Sequence, residues 1–297
     1  MSSIVELDYL VIGHVARDLV NGDFTVGGTV SYAARTARAL NCRVGIVTSA
    51  SPDLDLGQVL DNILIARTPA PSTTIFQNTY TSNGRKQTLH GLAETLTPDM
   101  LPSNWRVAPG SGIVHVGPIA QECDTALAGA FGDAFVGVTP QGWMRQWDES
   151  GTLGRCPWKG AEPWLARADA VVLSEEDVGG DESLIARYVS QARLLTVTRG
   201  AAGCTVHTQG QTRSFAAPSV REVDPTGAGD VFAAAFFVAL RRCGDPWAAA
   251  RFANCVAANS VTRVGLDSTP EPGEVAHCEQ VAHCERIARC ERILVPR

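Results

Sequence analysis

Asp224 to Asp230 read DPTGAGD, and ten apolar residues, Val231–Leu240, follow at once. Gly227, Ala228 and Gly229 are small, so the backbone there can approach a ligand closely. The apolar run predicts a helix buried on nearly all sides. Its first N–H groups and the positive end of its dipole form an anion site. Asp230 falls in the first turn. An isolated aspartate there would be read as a dipole partner. Behind three small residues and ahead of a buried helix, it suits proton transfer. Phosphoryl transfer needs both features, donors for the developing negative charge and a carboxylate that orients and deprotonates the acceptor hydroxyl. The chain has no G-x-x-x-x-G-K-[ST] stretch, so this is not a Walker loop.

Other segments must position that turn. Six short apolar runs read as buried strands: 8–13, 43–48, 112–116, 134–139, 170–173 and 194–198. They are continuously apolar, as a parallel sheet covered on both faces demands. Helical stretches at Thr29–Leu40, Thr125–Phe131 and Glu182–Gln191 fall between them. The alternation predicts an α/β fold, doubly wound rather than a barrel. Ser72–Ala93 departs from the pattern. It is rich in Thr and polar residues, and Asn83-Gly84 is a strong hairpin signal. A hairpin projecting from the sheet is expected, with Phe76, Asn78 and Tyr80 on one face; an edge hairpin of the main sheet is the alternative.

The 297 residues suit one large domain with an appendage. A net charge of −6 without a Lys/Arg block disfavours nucleic-acid and anionic-membrane partners. No apolar run approaches membrane-spanning length, and the N-terminus lacks a secretory pattern, so a cytoplasmic protein is expected. Nine cysteines without a C-x-x-C pair are expected to stay reduced. Ala276–Ile293 is a tandem six-residue repeat, AHCEQV-AHCERI-ARCERI. Its Cys and His spacing fits no closed zinc site. A charged terminal helix or a disordered tail is expected, and the closing Leu-Val-Pro-Arg reads as a protease-site remnant.

DPTGAGDVFAAAF resembles the C-terminal signature of the ribokinase-like (PfkB) carbohydrate kinases, and the resemblance runs over residues 7 to 270. It implies a three-layer α/β/α sandwich with a mostly parallel central sheet and a small β lid. The lid would lie around 14–26 and 68–96 of a kinase domain spanning 1–270, with 271–297 as the repeat tail. Asp230 would be the base, Gly227, Ala228 and Gly229 the anion hole, and Arg145 would meet the transferred phosphate. Asp18, the Gly27-Gly28 pair, Thr29, Tyr32 and Gln141 would bind the substrate. Ser174, Thr198, Gly200 and Gly203 would contact ATP, together with Thr226, Gly227 and Gly229 and, near the adenine, Asn254 and Ala258. Asp177 would hold hydrated magnesium. Asp224, Thr226, Val261, Val264 and Gly265 occupy the stretches that hold potassium in the family.

Two departures stand out. Tyr32 stands where many members carry Asn, and Ser174-Glu175-Glu176-Asp177 replaces the usual N-x-x-E. Thr139–Arg145, TPQGWMR, resembles an inositol-kinase-like branch. The implied activity is ATP- and Mg2+-dependent phosphorylation of a sugar or, first, an inositol-like cyclitol, by a monomer or homodimer. The alternatives are a nucleoside kinase of the same family, or a regulatory protein that binds sugar and nucleotide without turnover. The intact GAGD weighs against the last.

Overall fold

The computed structural model describes residues 3–20, 22–81 and 84–282. The chain begins β1 (Val5–Leu7), β2 (Tyr9–Ile12), β3 (Ala16–Val20), β4 (Asp23–Gly27), α1 (Thr29–Ala39), β5 (Val44–Ala50), β6 (Leu64–Pro69), β7 (Thr74–Thr81) and β8 (Gly84–Gly91). It continues β9 (Trp105–Val107), β10 (Ile113–Val116), β11 (Phe135–Val138), β12 (Arg145–Trp147), β13 (Leu153–Arg155), α2 (Ala161–Arg167), β14 (Ala170–Ser174), α3 (Glu182–Val189) and β15 (Leu194–Thr198). It ends β16 (Cys204–Thr208), β17 (Gln211–Phe215), α4 (Ala228–Cys243), α5 (Pro246–Ser260) and α6 (Pro272–Val281).

Nine strands form the central sheet, in the order β17-β16-β15-β14-β11-β10-β2-β5-β6. Neighbours from β15 to β6 run parallel, and β16 and β17 close one edge antiparallel. β2, β5 and β10 are buried along their whole length, which explains their unbroken apolar sequences. One face of the sheet carries a core built on α1, α4 and α5, the other a core that includes Trp164 of α2 and Ile185 of α3. This is a three-layer α/β/α sandwich. α4 is enclosed through its middle, with every residue from Val231 to Ala239 buried.

A second sheet of four strands, β4-β3-β7-β8, stands apart from the first. Its inner strands β3 and β7 are parallel, and each outer strand turns back antiparallel. Ser72–Ala93 therefore contributes a hairpin to a separate layer, not to an edge of the main sheet. Half of its Asn83-Gly84 turn lies outside the described residues. Phe76 fastens this layer to the body, packing with Ala16, Ile119 and Ala120.

Two expectations fail. Thr125–Phe131 is no α-helix; a short 3-10 turn, Thr125–Gly129, takes its place, capped by the Asp124 side chain. The cysteines are not all reduced, because Cys255 of α5 and Cys278 of α6 form a disulfide with Cα atoms 5.5 Å apart. Of its two cysteines, Cys278 lies in the first repeat unit, and residues 272–281 form a helix whose Val275 and Cys278 are buried against α5. Residues 283–297, which hold the rest of the repeat, lie outside the described residues. No helix among the described residues is long and apolar enough to cross a membrane.

Candidate active site

A cleft of about 700 Å³ opens where the carboxyl ends of the parallel strands meet the second sheet. Ligands of open α/β sheets bind at such ends. α4 points its first turn into the cleft, with Gly227 as its N-cap at φ 78°. That conformation favours glycine, and space requires it too, because the ring of Tyr32 occupies the place a Cβ would take. Asp230 lies in that first turn. One of its carboxylate oxygens accepts a hydrogen bond of 2.8 Å from the Thr29 hydroxyl, on the first residue of α1. Burial pushes Asp230 up to about 6, against the pull of the Thr29 hydrogen bond and of Arg145, while Asp177 and Asp18 add to the rise. A carboxylate so placed takes up a proton near neutral pH.

The anion site differs in one respect from its expected form. The Ala228 amide already donates to the Pro225 carbonyl at 3.2 Å. Among the described residues, the amides of Gly227 and Gly229 have no backbone acceptor, so they carry the site's donor capacity.

Towards the second sheet, the cleft is polar. Asp18 reaches it from β3; its carboxylate lies where a Cβ on Gly27 would be, which fits the glycine at that position. Gly28 caps α1 and Tyr32 lies one turn on, both at the cleft wall. Burial and the nearby Asp18 and Asp230 push the Tyr32 hydroxyl up, so it stays protonated. Gln141 donates to Asp177 at 3.4 Å. Arg145 donates to the Ile119 carbonyl at 3.0 Å, with its guanidinium 5.6 Å from the centre of the Phe76 ring. Sequence reasoning assigned no role to Thr139 and Gln87, which also line this end. Gln87 has a signal that was present but unused, since it pairs across the hairpin with Asn78 and shares its face.

The opposite end is less polar. Ser174, Thr198, Gly200 and Gly203 line it, together with Thr226, Asn254, Ala258 and, from the stretch read as a potassium site, Val261. Ala217, Pro218, Val220 and Ala257 add an apolar wall. Two expected contacts are engaged within the protein. Asn254 donates to the Phe215 carbonyl at 3.0 Å, and the Ser174 hydroxyl accepts from the Glu176 amide at 3.1 Å. Burial raises Asp177, while the Ser174 amide, at 2.9 Å, opposes the rise.

The expected potassium stretches meet at the rim of the cleft, which Thr226 and Val261 line, as a clasp of hydrogen bonds within the protein. The Asp224 carboxylate accepts from the Thr226 and Gly265 amides, and the Val261 carbonyl accepts from the amides of Val223 and Asp224. Val264 is exposed on the surface beside it. Among the described residues, no group of three or more His, Cys, Asp or Glu side chains is arranged to hold a metal.

Residues 166–272 match the family described as pfkB family carbohydrate kinase. A fructokinase from Klebsiella pneumoniae is 42% identical over 92 residues, 28% of this chain and 29% of that one. An ATP-dependent ribose-1-phosphate kinase from Halopiger xanaduensis is 32% identical over 167 residues, 54% of this chain and 53% of that one. The chain thus spans about half, or less, of the curated relatives it matches. Among solved structures, a pyrophosphate-dependent kinase in the ribokinase family, complexed with a pyrophosphate analogue and myo-inositol, aligns with a TM-score of 0.76 at 22% identity. That alignment covers 88% of this chain and 98% of the other. The chain therefore has the ribokinase fold and bears, over residues 166–272, the sequence of the pfkB carbohydrate kinases.

Proposed function

We propose that this protein transfers the terminal phosphoryl group of ATP to a hydroxyl of an uncharged polyol, with an inositol-like cyclitol the leading acceptor. One observation carries the reading. Asp230, pushed up to about 6, sits in the first turn of α4 in a cleft with a polar end and a partly apolar one. Asp230 orients the acceptor hydroxyl and takes its proton. The amides of Gly227 and Gly229 meet the charge on the transferred group, and Arg145 supplies the cation beside it. Asp18, Gln141 and the lid residues Asn78 and Gln87 offer the donors and acceptors that a polyol needs.

Asp177 fits hydrated magnesium, because its carboxylate is oriented by Ser174 and Gln141 within the cleft. When bound, the ion offsets the phosphate charge.

The aligned inositol-bound kinase uses pyrophosphate, which makes that donor the second reading. The lining favours a nucleotide. Arg145 is the only Lys or Arg among the described residues lining the cleft, whereas Ala217, Pro218, Val220 and Ala258 form a surface suited to an adenine ring. The same scarcity of cations favours a neutral acceptor over a sugar phosphate. Steady-state assays of cyclitols, hexoses, pentoses and nucleosides, each with ATP and with pyrophosphate, test the reading. Turnover with ATP and a neutral polyol, lost in Asp230→Asn, is expected. No turnover with any neutral polyol, or an Asp230→Asn protein that keeps more than about a third of kcat, overturns it.

A further inference from the structure

The mechanism above leaves His115 unused, although it lies fully buried beneath the acceptor end of the cleft. Its Nδ1 is 2.9 Å from the Tyr9 hydroxyl, and its Nε2 is 3.0 Å from the Thr139 hydroxyl. Tyr9 is also fully buried, and Thr139 is 7% exposed, on the cleft wall. We propose that Tyr9 and His115 form a hydrogen-bond relay of fixed direction that presents the Thr139 hydroxyl as a donor to the acceptor. Thr139 is then a further acceptor-binding residue, with His115 as its positioning residue. The proposal rests on the kinase reading.

The direction follows from counting protons. The imidazole is neutral, since burial lowers it to about 3, and it carries one N–H. If that proton is on Nε2, Tyr9 donates to Nδ1 and Nε2 donates to Thr139. Every buried donor is then paired, and the Thr139 proton is left to point away from the imidazole. If the proton is on Nδ1, Thr139 donates inward to Nε2 and the Tyr9 proton needs another acceptor. Among the described residues, the Tyr9 hydroxyl has no partner besides His115. Leaving a buried O–H unmatched is strongly unfavourable, so the first arrangement dominates.

Thr139 also stands close to the chemistry. A Cβ built on Gly117 would lie 2.5 Å from the Thr29 methyl and 2.9 Å from the Thr139 hydroxyl, so both threonines border one small space. Thr29 holds Asp230. A donor beside the base suits a lone pair on the acceptor, such as a hydroxyl neighbouring the one that reacts.

Two arms test this. The first reads His115 by 15N NMR on the whole protein and needs no substrate. Nδ1 is expected to be unprotonated and Nε2 protonated from pH 6 to 8, and the reverse tautomer overturns the relay. The second arm is kinetic. Thr139→Val should raise acceptor KM about tenfold, the worth of one hydrogen bond, with ATP KM unchanged, and Thr139→Ser should restore it. Tyr9→Phe should raise acceptor KM about threefold or more, although Tyr9 lies outside the cleft lining. It should add nothing in the Thr139→Val background, because both changes act through one hydroxyl. Additive effects, or a Tyr9→Phe protein with lower thermal stability but unchanged acceptor KM, overturn the relay. A wild-type protein that phosphorylates no polyol instead overturns the kinase reading and, with it, Thr139 as an acceptor residue. The NMR result then still decides the direction of the relay.

Discussion

Thr29 holds one oxygen of Asp230, and among the described residues the other has no protein donor. With its proton affinity raised mainly by burial, the ionised side chain costs the folded state free energy. A rise from 3.8 to about 6, at about 1.4 kcal/mol per pKa step, sets an upper figure near 3 kcal/mol, and cleft water reduces it to roughly 1–3. The sign is opposite to that of a salt-bridged aspartate. Because the folded pKa lies above the unfolded one, the penalty is full above pH 6 and fades as pH falls to about 4. Asp230→Asn should therefore raise the midpoint of thermal unfolding at pH 8, with the gain gone by pH 4, while kcat falls at least ~10²-fold. Wild-type kcat should drop as pH falls through about 6. A destabilised Asp230→Asn protein at pH 8 would show that the carboxylate is not held at such a cost. Asp230 and Gly227 could be read from the sequence because the signals for them are local. The partner of Asp230 could not, since Thr29 is 201 residues away in the chain. Thr139 was missed for a similar reason, as a threonine ending a strand reveals nothing of the buried histidine behind it.

Continuous apolar runs located six of the seven strands in the parallel part of the central sheet, because those six are covered on both faces. They missed β6, β16 and β17, which lie at or near the sheet edges; β6 has no buried residue, and β17 is mostly exposed, so neither has such a run. Six cysteines are scattered along the chain ahead of the repeat, and no spacing rule pairs Cys255 with Cys278. The hairpin β7–β8 was readable from its turn and alternation, but its assignment to a separate layer depends on β3, which β7 joins in parallel. If this layer covers the acceptor, it excludes water from the reacting hydroxyl. Deleting the residues around Asn83-Gly84 should then raise acceptor KM and increase ATP hydrolysis without acceptor, while the midpoint of thermal unfolding moves little. A shifted midpoint with unchanged kinetics would make the hairpin a purely structural element.

Across the whole molecule, acids outnumber bases where the phosphates would lie. Among the described residues, Asp18, Glu176, Asp177, Glu222 and Asp230 line the cleft against Arg145 alone, in a chain of net charge −6. A triphosphate entering this field is repelled unless a cation accompanies it. ATP should therefore raise the thermal midpoint with magnesium present and lose most of that effect with EDTA at matched ionic strength. Equal stabilisation in both conditions would show that the protein alone balances the charge.

The parallel pairing of β3 with β7 has a consequence for the order in which the chain folds. α1, β5 and β6 come between the two strands, so neither can find the other as a neighbour along the chain. Their meeting closes a long loop, which is entropically unfavourable until the intervening crossover has formed. Each flanking hairpin is local and can form early, but the pair that joins them must wait for β2, β5 and β6 to assemble. In pulsed hydrogen exchange during refolding, amides of β2 and β5 should become protected before those shared between β3 and β7. Simultaneous protection would mean that the four-stranded layer and the central sheet condense in one step.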